Sequence, residues 1–307
     1  MQGYNSFMER IPIIIDTDPG VDDFFCLALG CAFKDLFDLR AVTTIGGNNS
    51  TDVTTQNALD ILKLFKRAEV PVARGAGRYL CGSFGLPVIK AHGINGIGNV
   101  YLEHSDTKID RLKAWDKIHR EAIKSNGKLV LVCVGPETNL AMAFSKYPQL
   151  PSFIRRIVIM GGTLTTGNAT EYAEANIWHD AEAAKIVFES GVPIDMIGLN
   201  VTRKAPLTKT IFEDIECDPK IKDVIMELIS FRHEEAMHDA VAMATLINKN
   251  IVTFKDAYTS VIEGKDEKRG MTVADYDQIP NSRVAVDINV EEYYKVMREM
   301  LRRLAEI

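Results

Sequence analysis

Positive charge is in short supply in this chain. Lys and Arg number 36 against 42 Asp and Glu, a net charge of −6. Non-specific nucleic-acid binding depends on neutralising phosphates with Lys and Arg, so no nucleic-acid partner is expected. Cysteine is also scarce. Cys26, Cys31, Cys81, Cys133 and Cys217 are odd in number and form no CxxC pair. That argues against a disulfide framework and fits a reducing cytoplasm. Cys26 and Cys133 lie in apolar runs and read as small buried hydrophobes. No apolar run approaches the ~20 residues that a membrane span needs. The opening MQGYNSFMER has no apolar stretch of the signal-peptide kind. No membrane partner is expected, and the cytoplasm is the expected location. Repeats, low-complexity tracts and Pro-, Gly- or Ser-rich linkers are missing too, so one continuous domain over residues 1–307 is expected.

What is present is ordinary globular material. The chain is 46% hydrophobic and 25% charged over 307 residues, enough to bury a large core. Apolar runs recur at 11–15, 39–44, 129–134, 157–160 and 194–199, with helical patterns at 21–33 and 51–65. Thr51 could cap the second helix. LVLVCV at 129–134 is apolar without alternation, as a strand covered on both faces should be. The alternation predicts an α/β fold, Rossmann-like, with a mostly parallel central sheet flanked by helices. The last third reads as more helical, at 221–236, 240–247 and 291–305. In the terminal helix Tyr294, Met297, Leu301 and Leu304 share one face.

Ligands of open α/β sheets bind beyond the carboxyl ends of the strands. The segments there are 16–23, 46–49, 135–139, 161–176 and Asn200, and they are rich in Asp, Asn and Gly. The first, IIIDTDPGVDD, sets Asp16, Asp18, Asp22 and Asp23 within eight residues. Asp16 and Asp18 are two apart at a strand end and can point to one side. Pro19 and Gly20 favour a sharp turn that leaves Asp22 and Asp23 at a helix N-terminus. A helix dipole offers ~0.3–1 kcal/mol per charge, too little to gather four carboxylates in a dry crevice. A divalent cation removes the difficulty, and oxygen-only ligands select Ca²⁺ or Mg²⁺. The plainer reading is a helix cap followed by a solvated acidic turn.

At this point the sequence resembles the nucleoside hydrolase family, whose opening motif is DxDPGxDD. Asp16 to Asp23 match it in full. Asn48 in TTIGGNNS, His92 in HGINGIG, the long segment from Met160 to Ala184 with Asn168, Glu174 and Asn176, and the pair His238-Asp239 match further motifs in the same order. The resemblance implies calcium-dependent hydrolysis of the N-glycosidic bond of ribonucleosides. It implies that Asp18 is the general base for the attacking water. Asp18, Asp23, Asp239 and the Val134 carbonyl would hold Ca²⁺, and Asp16 would support them. Many relatives carry Thr where this chain has Val134, a change that a carbonyl ligand tolerates. Asp22, Asn168, Glu174 and Asn176 would hold the ribose hydroxyls, with Asn48, His92 and Met160 nearby. His238 would act as general acid for the departing base, and its presence favours a pyrimidine-accepting or broad preference. A homodimer or homotetramer is implied by the family alone.

Bottom-up chemistry is compatible with these roles. Cleaving an N-glycosidic bond puts oxocarbenium character on the sugar and negative charge on the base. Ribose hydroxyls need the paired donors and acceptors that Asp, Asn and Glu supply. The stretch before His238, FRHEEAM, has no Tyr, although aromatics from this region close over the base in some relatives. Ala240 stands where Pro is common. Trp115 and Trp178 read as structural. Two other functions compete. A Mg²⁺-dependent phosphatase of the haloacid dehalogenase class also begins with a strand and DxD, with the first Asp as nucleophile, but no strand-Gly-Asp-x-x-x-Asp partner follows. A non-catalytic Ca²⁺-dependent nucleoside-binding protein would need neither Asp18 nor His238.

Overall fold

The computed structural model describes residues 9–82 and 87–306. Its strands are β1 (Ile11–Thr17), β2 (Phe37–Thr44), β3 (Val72–Arg74), β4 (Leu129–Cys133), β5 (Ile154–Met160), β6 (Ile194–Ile197), β7 (Val252–Val261), β8 (Thr272–Asp275) and β9 (Ser282–Ile288). They form a nine-stranded sheet in the order β3-β2-β1-β4-β5-β6-β9-β7-β8. The first seven in that order run parallel, and β7 and β8 extend the sheet antiparallel. The expected α/β architecture with a mostly parallel sheet is therefore present.

Among the described residues, eleven α-helices accompany the strands. They are α1 (Val21–Ala32), α2 (Thr51–Leu64), α3 (Ile89–His92), α4 (Ala114–Lys124), α5 (Thr138–Lys146), α6 (Ala175–His179), α7 (Ala181–Phe188), α8 (Leu199–Thr202), α9 (Pro219–Phe231), α10 (His238–Ile247) and α11 (Val290–Leu304). Successive side chains of a strand point to opposite faces. Ile13 and Ile15 therefore join the core that contains α1, α10 and α11, while Ile14 joins the one beneath α4, α5 and α7. β4 divides the same way, Val130 and Val132 to one side, Leu129, Leu131 and Cys133 to the other. Two covered faces are the reason these strands read as unbroken apolar runs.

Several expectations change in detail. Ser50, not Thr51, caps α2, its hydroxyl accepting from the Val53 N–H at 3.4 Å, while the Thr51 hydroxyl donates to the Ala76 carbonyl at 3.0 Å. The helix expected to run to 236 stops at Phe231, because His233 and Glu234 turn into the left-handed region with φ of 50° and 59°. On α11 the fully buried tyrosine is Tyr293. Tyr294 is partly exposed and donates its hydroxyl to the Pro206 carbonyl at 2.6 Å. β7, β8 and β9 were not expected at all. β7 carries Lys255 and Asp256 in mid-strand beside partner strands that supply most of its pairing.

Candidate active site

The carboxyl end of β1 runs straight into the turn Asp18-Pro19-Gly20, and α1 starts at Val21. Gly20 lies against the neighbouring loop so closely that an added Cβ would stand 2.3 Å from His92 Nδ1. Asp23 closes the helix end, accepting the Gly20 N–H at 2.9 Å on Oδ2. The same carboxylate accepts the Thr17 hydroxyl and the Asp18 N–H, the latter at 3.2 Å. The turn is thus held by the acidic groups themselves, and they are buried: Asp16, Asp18, Asp22 and Asp23 range from 0% to 7% exposed. That overturns the reading of a solvated acidic turn.

The four differ in their surroundings. Asp16 accepts the Thr43 hydroxyl and, at 2.9 Å, the Asn139 amide, yet its Oδ2 has no partner, and burial pushes its pKa to about 7. It does not line the cleft. Asp18 Oδ2 accepts the Asn48 N–H at 2.7 Å, while Oδ1 is buried without a partner. Burial, then the charges of Asp23 and Asp22, push its pKa well above the carboxylate range. Asp23 also accepts the Asn48 amide at 3.1 Å, and burial followed by the Asp22 charge raises its pKa to about 6. For Asp22 burial acts upward, but His92, Arg232 and His238 outweigh it, and its pKa is lowered.

Asp239 arrives from far along the chain, in the first turn of α10, which packs against α1. Ligand oxygens of Asp22, Asp23 and Asp239 lie within 4.8 Å of one another. Burial, then the three neighbouring aspartates, raise Asp239 well above its ordinary pKa. Carboxylates gathered this closely disfavour one another's ionisation unless a cation offsets them. The unpartnered Asp18 Oδ1 and this all-oxygen donor set fit a hard divalent cation. The Val134 carbonyl faces the same region. It accepts the Asn176 amide at 3.0 Å and keeps a second lone pair.

A cleft of about 390 Å³ opens over the cluster. Asp22, Asn48, His92, Val134, Met160, Asn168, Glu174, Asn176, His238 and Asp239 all line it, whereas Asp18 and Asp23 lie beneath. The loop after β5 sets Glu174 as the cap of α6, its carboxylate accepting the N–H groups of Asn176 at 2.9 Å, Ile177 at 3.2 Å and Gly162 at 3.0 Å. Burial nevertheless raises its pKa to about 7. Asn168 accepts the Ala175 N–H at 2.9 Å, and the Asn176 amide spans the Val134 and Met160 carbonyls, the second at 3.1 Å. These bonds fix one wall rich in carboxylate and amide groups. His92 and His238 also line the cleft, and burial lowers their pKa values to about 4. His92 accepts the Val21 N–H on Nδ1 at 3.1 Å, so it both braces α1 and lines the cleft. His238 Nδ1 is 2.7 Å from the Thr202 hydroxyl.

Sequence reasoning missed Trp178, His179 and Arg232, which also line the cleft. Trp178, expected to be structural, is 37% exposed at the mouth. Trp115 does pack against the core beneath α4 and α5. A signal for Trp178 was available, because it lies two residues after Asn176. Gly47 offers a test of how tightly Asp18 is set. An added Cβ there would stand 2.2 Å from Asp18 Oδ2. Gly47→Ala should cost on the order of 10²-fold in kcat, the usual penalty for about 1 Å of misplacement, with the far-ultraviolet circular dichroism unchanged. Wild-type kcat in this variant would show that Asp18 does not need its present position.

Three comparisons bear on this geometry. The family model described as inosine-uridine preferring nucleoside hydrolase matches residues 13–295. The chain is 34% identical over 308 residues to the pyrimidine-specific ribonucleoside hydrolase RihA of Salmonella arizonae, covering 95% of this chain and 98% of that protein. It is also 34% identical over 310 residues to the non-specific ribonucleoside hydrolase RihC of Escherichia coli, with the same coverage, 95% and 98%. Among solved structures, the plant nucleoside hydrolase PpNRh1 superposes with a TM-score of 0.89 at 29% identity, over 97% of this chain and 100% of that one. A purine-preferring ribonucleoside hydrolase from Gardnerella vaginalis gives 0.88 at 30% identity, over 96% and 99%.

Proposed function

The chain belongs to the inosine-uridine preferring nucleoside hydrolase family and is a ribonucleoside hydrolase, and from that premise we propose a Ca²⁺-dependent enzyme with a pyrimidine-accepting or broad base preference. The observation that carries the reading is the buried aspartate cluster under a cleft whose one wall is built from carboxylate and amide groups. In this reading Asp18, Asp23, Asp239 and the Val134 carbonyl hold the ion, with Asp22 beside them. A bound Ca²⁺ lowers the pKa of water and fixes its direction of approach. Asp18 takes the proton from the attacking water, its unpartnered Oδ1 being the free acceptor. Asp22, Asn168, Glu174 and Asn176 hold the ribose hydroxyls while Asn48 keeps Asp18 and Asp23 in place. His238 gives a proton to the base as it leaves.

The base preference rests on His238 and on the pyrimidine-specific and non-specific relatives. The purine-preferring structural neighbour stands against it, so uridine, cytidine, inosine and adenosine should be compared directly. Ribose recognition gives a sharper result. Asp22 is buried and its pKa is held below the usual carboxylate value, so removing a hydroxyl it binds leaves a buried carboxylate unpaired. Such a loss discriminates by about 10⁴-fold where a site is built around the hydroxyl. We expect 2′-deoxyuridine to be a very poor substrate beside uridine, and release of uracil from both is readily measured. Equal kcat/KM for the two would remove Asp22 from this role.

A further inference from the structure

The cleft lining holds one more group to which the roles above give no contact with the substrate. Arg232 follows α9 and is the only Lys or Arg among the described residues lining the cleft. Its side chain is 11% exposed. Its contacts are long: Nη1 donates to the Ala91 carbonyl at 3.4 Å, and Nη2 lies 3.3 Å from Glu235, itself largely exposed. Nε is buried with no partner. The guanidinium is close enough to Asp22, His92 and His238 to influence all three. With a buried, unpartnered Nε and two long contacts, the guanidinium keeps donors that a ligand in the cleft can engage.

We propose that Arg232 faces the departing nucleobase, stabilises the negative charge that grows on it, and sets a preference for bases bearing a ring carbonyl. This rests on the ribonucleoside reading above, in which Asp22, Asn168, Glu174 and Asn176 hold the sugar and the base lies toward His238, a neighbour of Arg232. As the N-glycosidic bond breaks, its electron pair stays on the base nitrogen. In uracil or hypoxanthine that charge spreads onto carbonyl oxygen, which a guanidinium fork matches with two donors. Adenine has no carbonyl and offers an amine donor in its place. A fixed cation that gains strength only as charge develops lowers the barrier rather than merely tightening binding.

The test uses the full-length, metal-loaded enzyme with Arg232→Gln and Arg232→Lys, on uridine, adenosine and p-nitrophenyl riboside. The nitrophenolate leaves as a stable anion and needs little help. Arg232→Gln should lower kcat for uridine on the order of 10²-fold, leave KM nearly unchanged, and alter the aryl riboside less than about threefold. The ratio of uridine to adenosine turnover should fall, and Arg232→Lys should recover part of the uridine rate. Equal losses on uridine and the aryl riboside would overturn the proposal in favour of a structural role, and so would unchanged turnover of both. A wild-type enzyme that cleaves neither riboside would instead sink the ribonucleoside reading, an outcome separate from any effect of the variants.

Discussion

Asp18→Asn should reduce turnover by about 10²- to 10⁴-fold, the usual range for loss of a general base, while nucleoside binding stays measurable. The amide keeps the shape of the side chain and can still accept the Asn48 N–H, so the loop after β2 should keep its place. What it loses is proton affinity at the one carboxylate oxygen of Asp18 that is buried and unpartnered. In kinetic terms kcat falls and KM changes little, the pattern of an interaction made chiefly in the transition state. A binding isotherm with a non-hydrolysed nucleoside analogue, alongside initial rates of base release, separates the two effects. Retention of more than about a tenth of the wild-type rate would place the base elsewhere.

His238→Ala should slow uridine or inosine hydrolysis by about 10²-fold or more and barely change p-nitrophenyl riboside. A natural base leaves poorly as an anion, whereas nitrophenolate does not need a proton. The ring opens α10 next to Asp239, and Thr202 sits 2.7 Å from its Nδ1. When the ring is protonated, that hydroxyl can accept the Nδ1 proton in a hydrogen bond while the opposite nitrogen gives its proton to the base, leaving neutral imidazole. Equal slowing of both substrates would mean that His238 positions the sugar or steadies Asp239.

The acidic end of the site was legible in the sequence because strand, turn and helix start are consecutive. Asp16 to Asp23 fold on one another through short-range bonds such as Gly20 to Asp23. Asp239 was legible only through its motif, since nothing in its local pattern says that α10 packs on α1. Arg232 was hidden for a physical reason. It follows a helix that had seemed to run on to 236, and the left-handed turn at His233 and Glu234 ends it there. Of the fold, the buried parallel strands announced themselves by unbroken apolar runs. β7 did not, since Lys255 and Asp256 interrupt the pattern and its pairing with β9 and β8 supplies what local propensity does not.

The calcium requirement is the central claim, and metal content measured with activity tests it most directly. Elemental analysis of gently purified protein should find about one calcium per chain, the number that one aspartate cluster fitted to one hard cation implies. Extraction with a chelator should abolish uracil release from uridine, and adding Ca²⁺ back should restore it. Protein that is free of metal, fully active and indifferent to chelators would contradict the account.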